Sequence, residues 1–315
     1  MAGPEKLVKL VVVTRRTRLE ELVDRFNTKG QARFYIEHAG GDFRDYERED
    51  DAYRQSLDRL RRDLDFGVPR QFIDRSLVPT YTFGPLDLVV ALGQDGLVAN
   101  VAKYAGACPI VGVNPDPERF DGVLLPFTPD DKTRDAVARL VAGKSVRTRA
   151  VTLAQIALGD GQRLLAFNDL FIGARSHVSA RYRITVGDRS EPQSSSGVLI
   201  STGAGSTGWM SSVFNMATGV TAFAGGRGAA SVQFPWDDAR LLFAVREPFV
   251  SRHSAASIVA GWIEKGEGVR IESLMPGGGV VFSDGVERDF LEFNAGAVGL
   301  IGRADRQATL VVPGS

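Results

Sequence analysis

Apolar runs alternate with amphipathic segments along the first third of the chain. Short continuous apolar runs are typical of strands buried on both faces, and they occur at Leu7–Val13, Val68–Ile73, Asp87–Leu92 and Pro109–Val113. Apolar residues at three- and four-residue spacing predict helices over Arg18–Phe26, Tyr53–Leu64 and Leu97–Tyr104. Glycines and mixed charges predict a loop at Gly40–Glu49. This alternation predicts a parallel, doubly wound α/β sheet.

The pattern changes near Thr128, where a capped helix is predicted to end at Gly143. Short runs of β-type residues separated by turns then predict strands, at Arg147–Leu158, Arg163–Ile172, Val178–Val186, Val198–Thr202, Ala239–Val245, Ala256–Ile263, Val269–Ser273, Gly279–Phe282 and Gly296–Ile301. Gly159–Gly161 and Gly187–Asp188 are predicted hairpin turns, and Ala222–Ala229 is predicted to be a flexible loop. We therefore expect a domain boundary near residue 128, followed by a mostly antiparallel β-sandwich.

Composition narrows the classes of partner. The chain has 315 residues, 43% of them hydrophobic, and its 38 basic and 38 acidic side chains cancel. A balanced charge does not favour nucleic acid or an anionic membrane, so we expect small-molecule partners and a local anion site. The lone Cys108 excludes an intramolecular disulfide and a cysteine-rich zinc site. No apolar run is long enough to span a membrane, which predicts a cytoplasmic protein.

The turn Gly93-Gln94-Asp95-Gly96 lies where an apolar strand gives way to a helix. Glycines allow a ligand to approach the backbone, and the first amides of a helix attract anions. A carboxylate in such a turn repels phosphate unless a metal ion lies between them, or unless the carboxylate takes a proton from a hydroxyl beside that phosphate. We therefore interpret Asp95 as a base. The alternative is that Asp95 only caps the helix.

A second glycine turn, Gly203–Gly208, follows the strand that ends at Thr202. Its amides, with the Ser206 and Thr207 hydroxyls, can hold phosphate oxygens, and Trp209 can cover an apolar ring. The alternative is a serine-rich helix cap. Neither turn has the P-loop pattern or opens the first βα unit as Gly-x-Gly-x-x-Gly, which disfavours a P-loop nucleotidase and a standard dinucleotide dehydrogenase.

Asn168 and Asp169 interrupt an apolar strand. A buried polar group without a partner costs a few kcal/mol. The pair is therefore expected either to face solvent at a strand end, as in an Asx turn, or to bind a ligand that carries hydroxyls.

Several of these segments stand in the order and spacing of the NAD kinase family, which the chain resembles over nearly all of its length. The resemblance is carried by Gly93–Gly96, Gly112–Arg119, Phe167–Asp169 and Ser201–Thr207. The chain looks most similar to the branch that includes the mitochondrial NAD kinases. Three further segments support that branch: Ser195–Gly197, Leu242–Pro248 and Leu291–Gly296.

The resemblance implies a fold and a reaction. The fold is a Rossmann-like α/β domain (residues 1–127), a β-sandwich (128–295) and a tail (296–315) that returns to the first domain. The reaction moves the γ-phosphoryl group of ATP, with magnesium (Mg2+), to the 2'-hydroxyl of the adenosine ribose of NAD and gives NADP. The family also implies a homodimer or homotetramer whose sites lie near subunit interfaces.

The resemblance further implies roles for individual residues. Asp95 would be the catalytic base or hydroxyl-orienting carboxylate, and no residue is assigned as a metal ligand. The remaining residues would bind the nucleotides: Gly93, Gln94 and Gly96 in the phosphate turn, Asn114 in its support, Asn168 and Asp169 on sugar or ring hydroxyls, and Thr202, Gly205, Ser206, Thr207 and Trp209 along the adenine and ribose region.

Three positions depart from the family pattern. Gln94 replaces a glycine, Leu97 replaces a threonine, and Asp169 replaces a longer glutamate. A glutamine forced to positive φ costs about 1 kcal/mol, and a lost hydroxyl bond costs roughly as much. These changes leave two alternatives open: a kinase of the same fold that acts on another small polyol, nucleoside or lipid, and a non-catalytic NAD(P)-binding sensor.

Overall fold

The computed structural model describes residues 9–228 and 231–314. The chain divides into two compact units: residues up to Arg149 together with those from Thr309 onward, and residues Ala150–Ala308. Each unit has a hydrophobic core of its own. The division falls later than the boundary that the sequence suggests near residue 128.

The first unit is an α/β structure. Its elements are β1 (Lys9–Thr14), α1 (Arg18–Phe26), α2 (Lys29–His38), α3 (Phe43–Asp63), β2 (Arg70–Asp74), β3 (Asp87–Leu92), α4 (Asp95–Tyr104), β4 (Pro109–Val113) and α5 (Asp131–Val141). The strands are parallel in the order β2-β1-β3-β4, and Thr309–Leu310 pair in parallel with Pro109–Ile110. All six residues of β3 are buried, because helices cover both faces of such a sheet. The predicted parallel sheet is confirmed.

Helix α1 begins and ends at the predicted residues. Thr17 accepts a hydrogen bond from the Glu20 amide, and the Glu20 side chain accepts one from the Thr17 amide. This capping box satisfies two amides that a helix start leaves unpaired. The predicted β1 is also confirmed from Lys9, whereas Leu7 and Val8 lie outside the described residues.

The prediction of a loop at Gly40–Glu49 is wrong. Helix α3 begins at Phe43, where Asp42 caps it through the Arg44 amide, and α2 precedes it without having been predicted. The predicted helix over Tyr53–Leu64 is only the second half of α3. Two buried positions of α3 carry charged side chains, Glu49 and Asp50. The inward face of this helix therefore lacks the apolar pattern that would have predicted it.

The second unit is mostly antiparallel β-structure. The elements are β5 (Thr148–Leu158), β6 (Arg163–Ala166), β7 (Asp169–Ala174), β8 (Ala180–Val186), β9 (Arg189–Ser195), β10 (Val198–Ser201), α6 (Trp209–Phe223), β11 (Leu241–Val245), β12 (Ala260–Ile263), β13 (Val269–Ser273), β14 (Gly279–Ser283), β15 (Phe290–Glu292) and β16 (Val298–Val311). Strand β5 begins and strand β16 ends in the first unit. One sheet has the order β12-β11-β10-β7-β14-β15. A second group of strands joins β16, β13, β8 and β9, and β5 pairs with both β16 and β6.

Residues from both groups of strands share one core, so the predicted β-sandwich is confirmed. Ile156 and Ile184 from one group pack with Ile172, Phe243 and Val281 from the other. The hairpins β5–β6 and β8–β9 form at the predicted turns.

Some strand predictions need correction. The run Arg163–Ile172 is two strands, β6 and β7, because the chain turns at Phe167 and Asn168. Strand β16 continues ten residues beyond the predicted Ile301, to Val311. Helix α6 extends through Phe223 into the predicted flexible loop, whose last residue, Ala229, lies outside the described residues. Across the described ranges, none of the helices has both the length and the apolar character needed to cross a membrane.

Candidate functional site

The Gly93–Gly96 turn connects β3 to α4 in the first unit. The Gly93 amide donates to the Val113 carbonyl at 3.1 Å, and a side chain at this position would lie 2.9 Å from Leu97 Cδ2. Gln94 is exposed and has an extended backbone, with φ −114° and ψ 165°. The strain expected for a glutamine here is therefore absent. Leu97 is buried in the core, where an apolar side chain fits.

The Asp95 carboxylate is fixed by a neighbouring loop. Its two oxygens accept hydrogen bonds from the amides of Leu124, at 2.8 Å, and Val123, at 3.1 Å. The residue is partly exposed and opens α4, whereas Gln94 is the N-cap and no side chain caps the helix. The interpretation of Asp95 as a mere helix cap is therefore wrong. The two amides fix the direction of the carboxylate, as a positioned base requires.

Asn114 organises the loop that reaches Asp95. Its side-chain amide donates to the Phe120 carbonyl at 2.7 Å, and its Oδ1 accepts from the Asp116 amide at 3.0 Å. A Cβ at Gly122 would lie only 2.9 Å from Asn114 Nδ2. Asn114 thus supports the turn indirectly, through the loop that carries the two amides bound to Asp95.

The strand order of the first unit also points to the end of the sheet at which β1 and β3 finish. The chain leaves β1 towards β2 on one side and leaves β3 towards β4 on the other. In open α/β sheets, ligands bind beyond the carboxyl ends of the strands at such a switch point. The residues there are Arg15 after β1 and Gly93 after β3, and Arg15 Nε lies 3.5 Å from the position of a Cβ on Gly93.

Arg15 belongs to a charged cluster that the sequence did not indicate. Its guanidinium pairs with the buried Glu49 at 2.9 Å, and Arg18 contacts the same carboxylate. Burial alone would raise the pKa of Glu49, but the hydrogen bonds from Arg18 and Arg15 outweigh it and lower this pKa. Tyr53 accepts from the Arg15 amide at 2.8 Å and donates to the Leu92 carbonyl, and burial raises its pKa to about 12. The sequence feature that could have indicated this cluster is the Arg15-Arg16 pair directly after the first strand.

The second unit brings the other predicted residues together. Thr202 donates from its hydroxyl to the Phe167 carbonyl at 2.6 Å and from its amide to the Asn168 carbonyl at 2.9 Å. A Cβ at Gly205 would lie 2.3 Å from that Asn168 carbonyl oxygen. The Ser206 hydroxyl is buried and donates to the Gly203 carbonyl at 2.7 Å. The hydroxyls of Thr202 and Ser206 thus hold the loop in place, while Thr207 is exposed.

Asp169 has an unusual electrostatic environment. It opens β7 opposite Ser201 of β10, and it is buried. Burial raises its pKa to about 7, against an opposing hydrogen bond from Ser201 and with a further increase from the charge of Asp284. Within the described chain, Asp169 Oδ1 is buried without a hydrogen-bond partner. The Asn168–Asp169 pair is therefore not a simple solvent-facing turn.

Asp284 was missed from the sequence. Its carboxylate accepts hydrogen bonds from the amides of Phe167, Asn168 and Asp169, at 3.0, 2.6 and 3.2 Å. The available signal was Ser283-Asp284-Gly285, an acid and a glycine that follow an apolar run as Asp95 and Gly96 do.

Trp209 belongs to an aromatic cluster at the start of α6. Its ring stacks on Phe171 with centroids 5.5 Å apart and planes inclined by 16°, and the Arg246 guanidinium lies 5.2 Å from its centroid. Trp209 is only partly buried. It therefore presents a flat apolar surface beside a positive charge, as expected of a residue that covers a ring.

The predicted residues thus form two groups, one in each unit. The first contains Gly93, Gln94, Asp95, Gly96 and Asn114, and the second contains Asn168, Asp169, Thr202, Gly205, Ser206, Thr207 and Trp209. Among residues 9–228 and 231–314, no three His, Cys, Asp or Glu side chains cluster as ligands for a metal ion.

Comparisons with known proteins give a sequence relative and two structures. No model of a known protein family matches the chain. An NAD kinase of Halobacterium salinarum is 35% identical over 136 residues, which cover 41% of this chain. The match covers 48% of the relative, so the chain spans about half the length of the curated relative it matches.

Two solved structures resemble nearly the whole chain. A yeast NADH kinase complexed with NADH matches with a TM-score of 0.57 and 15% identity, covering 98% of this chain and 85% of that one. An NAD kinase from Archaeoglobus fulgidus in complex with ATP matches with a TM-score of 0.54 and 15% identity, covering 97% of this chain and 94% of that one. The chain therefore has the fold of the NAD and NADH kinases.

Proposed function

We propose that the protein is an NAD kinase, which transfers the γ-phosphoryl group of ATP to the 2'-hydroxyl of the adenosine ribose of NAD and gives NADP. The observation that carries this proposal is the Asp95 carboxylate, which two amides hold at the start of α4, at the switch point of a parallel sheet. The partial sequence match to an NAD kinase supports it. So does a fold shared with kinases bound to NADH and to ATP.

Asp95 is the group to which we assign the proton transfer. Phosphoryl transfer has a loose transition state, so the protein mainly aligns the groups and neutralises charge. The ribose oxygen forms a bond to the γ-phosphorus as the bond to the leaving ADP oxygen breaks, and the hydroxyl proton passes to the carboxylate. The first amides of α4, at Asp95 and Gly96, are the donors we assign to phosphate oxygens.

The second-unit group is the one to which we assign the dinucleotide. Asn168 and Asp169 would hold its hydroxyls, and Trp209 would cover a ring. We regard Thr202, Gly205 and Ser206 as the frame of this group, because their polar atoms and close contacts serve the loop itself.

Magnesium is the ion we propose for this reaction. Kinases hold it mainly through substrate phosphates and one or two carboxylates, so a separate cage of protein ligands is not required. Bound to the triphosphate, it would neutralise phosphate charge. The homodimer or homotetramer and the mitochondrial-type branch remain predictions of the resemblance, and the cytoplasmic location remains a prediction from the lack of a long apolar run. Light scattering on the purified protein would test the first of these.

The two alternatives, a kinase that acts on another acceptor and a sensor without turnover, were suggested by the altered residues of the turn. The backbone of Gln94 is unstrained, and Leu97 fills a core position. Neither change therefore gives a structural reason to prefer another acceptor or a protein without turnover.

The proposal is tested by product analysis. Purified protein is incubated with magnesium, ATP and either NAD or NADH, and the products are identified by mass. Parallel reactions contain sugars, nucleosides and diacylglycerol, or polyphosphate as donor. We expect NADP or NADPH to be the dominant product. Efficient phosphorylation of another acceptor, or dinucleotide binding without a product from any donor, would overturn the proposal.

A further inference from the structure

The segment Phe167–Asp169 is clamped along its whole backbone. Its three amides donate to the single carboxylate of Asp284, and its first two carbonyls accept from Thr202. The third carbonyl, that of Asp169, accepts from the Asp284 amide at 3.0 Å. Every backbone polar group of the segment is therefore paired within the protein, and only its side chains remain available to a ligand.

Asp284 is held in a conformation suited to this task. It follows β14 and has φ +54°, a left-handed conformation that Asn and Asp tolerate better than most residues. The three successive amides surround the carboxylate as the N–H groups of an anion-binding nest do. Bonds between an ionised acceptor and amides are stronger than neutral ones. The chain thus uses a left-handed acid to fix a neighbouring segment.

The same carboxylate acts on Asp169 through its charge. The elements around Asp169 contribute the Ser201 hydroxyl from β10 and the Asp284 carboxylate, and Asp284 is the charged group that raises its pKa. Burial and this like charge both disfavour ionisation. A protonated carboxyl donates one hydrogen bond and can accept another, which matches a sugar hydroxyl. The buried Asp169 Oδ1, unpartnered within the described chain, leaves one such position unfilled.

We propose that Asp284 is a positioning residue that presents Asn168 and Asp169 in a fixed geometry to the dinucleotide. It does so by clamping the amides of the segment rather than by touching the ligand. Its charge also adds to the effect of burial, which is the main cause of the raised pKa of Asp169. The proposal rests on the proposed function for the identity of the ligand, whereas the clamp and the raised pKa are properties of the free protein.

The test compares three variants with the wild type. Asp284→Asn keeps the left-handed conformation but removes the charge and one acceptor. Asp160→Asn is the matched control, because Asp160 also receives two bonds in a hairpin turn of the second unit, from the Gln162 amide and side chain. Asp169→Asn identifies the Asp169 signal in carboxyl-carbon NMR of the free protein. The dissociation constant for NAD and the separate KM values for NAD and ATP are then measured.

For Asp284→Asn we expect the dissociation constant and KM for NAD to rise about tenfold or more, which corresponds to about 1.4 kcal/mol. The KM for ATP should stay close to that of the wild type. Asp169 should titrate near pH 7 in the wild type and in Asp160→Asn. It should titrate at lower pH in Asp284→Asn, although burial, the larger cause of its raised pKa, is kept in that variant. A role in folding alone would not shift this titration in a correctly folded variant.

The outcomes separate the two proposals. If the wild type neither binds NAD nor forms NADP, the proposed function fails, and the Asp169 titration still decides the role of Asp284. If the wild type is active but Asp284→Asn behaves like Asp160→Asn in both NAD affinity and titration, the positioning role is refuted. Should Asp284→Asn fail to fold, Asp284→Glu, which keeps the charge and lengthens the arm, replaces it. A wild-type titration and wild-type NAD affinity in that variant would refute the need for this geometry.

Discussion

Replacement of Asp95 by asparagine tests whether its carboxylate takes part in catalysis or only holds the neighbouring loop. The carboxylate accepts one amide on each oxygen, at 2.8 and 3.1 Å. Asparagine keeps one acceptor, so the variant loses one charge-assisted hydrogen bond. Such a bond contributes about 1.5–3 kcal/mol, and partial exposure reduces this to about 1–2 kcal/mol. A positioned base contributes a factor of about 10² to 10⁴. We therefore expect turnover to fall at least a hundredfold, with a modest loss of stability.

The assay needs a control that matches the loss of stability. Asp130→Ala removes a carboxylate that caps α5 through the Lys132 and Thr133 amides in the same unit, at a cost of about 1 kcal/mol. Turnover is followed as NADP formation at saturating NAD and ATP, NAD binding by calorimetry, and the free energy of unfolding by urea titration. If Asp95→Asn turns over as fast as Asp130→Ala, Asp95 is not the base.

Three further perturbations test other parts of the structure. Because the pKa of Asp169 is raised to about 7 in the folded protein, the folded state binds the proton more tightly, so the free energy of unfolding should fall as the pH rises from about 4 to 7. Asp169→Asn should flatten this dependence in urea titrations, and an unchanged slope would contradict the assignment. Gly205→Ala places a Cβ 2.3 Å from a backbone oxygen, whereas Gly208→Ala meets nothing closer than 3.4 Å; we expect only the former to weaken NAD binding, and equal affinities would argue against the loop contact. Glu49→Gln breaks a buried pair and should lower the free energy of unfolding by about 3 kcal/mol or more. Asp24→Asn breaks an exposed pair and should lower the free energy of unfolding by less than about 1 kcal/mol. If both variants lose the same free energy of unfolding, the burial of Glu49 does not increase the cost of breaking its pair.

The sequence predicted those elements whose buried positions are apolar. β3, β4 and α1 were predicted with their observed bounds, because the two strands are continuous apolar runs and the inward residues of the helix form a periodic apolar pattern. The residues of β9 were not predicted as a strand, although the hairpin turn before them was, because the inward residues are polar: Glu191, Gln193 and Ser195 are all buried. Gln193 and Ser195 pair with the Tyr182 hydroxyl. Such partners come from elsewhere in the chain, so no local pattern reveals that these residues face inwards.

The same limit applies to the candidate residues. Glycine turns after apolar runs pointed to Asp95 and to the Gly203–Gly208 loop, since turn chemistry is local. Arg15 and Asp284 acquire their roles only through contacts with Glu49, 34 residues away, and with Phe167, 117 residues away. The strain expected at Gln94 was a local inference as well, and the structure overturns it because this position needs no left-handed backbone.

Strand β16 determines when the sheet of the first unit can be completed during synthesis. Most of the first unit is made before Arg149, yet the residues that pair with Pro109 and Ile110 are Thr309 and Leu310, synthesised about 160 residues later. On the ribosome, the flank of β4 therefore stays without this partner while the whole β-sandwich is produced. An unpaired strand flank is a hazard for misassembly. The first unit consequently gains this strand partner only after residues 150–308 have been synthesised.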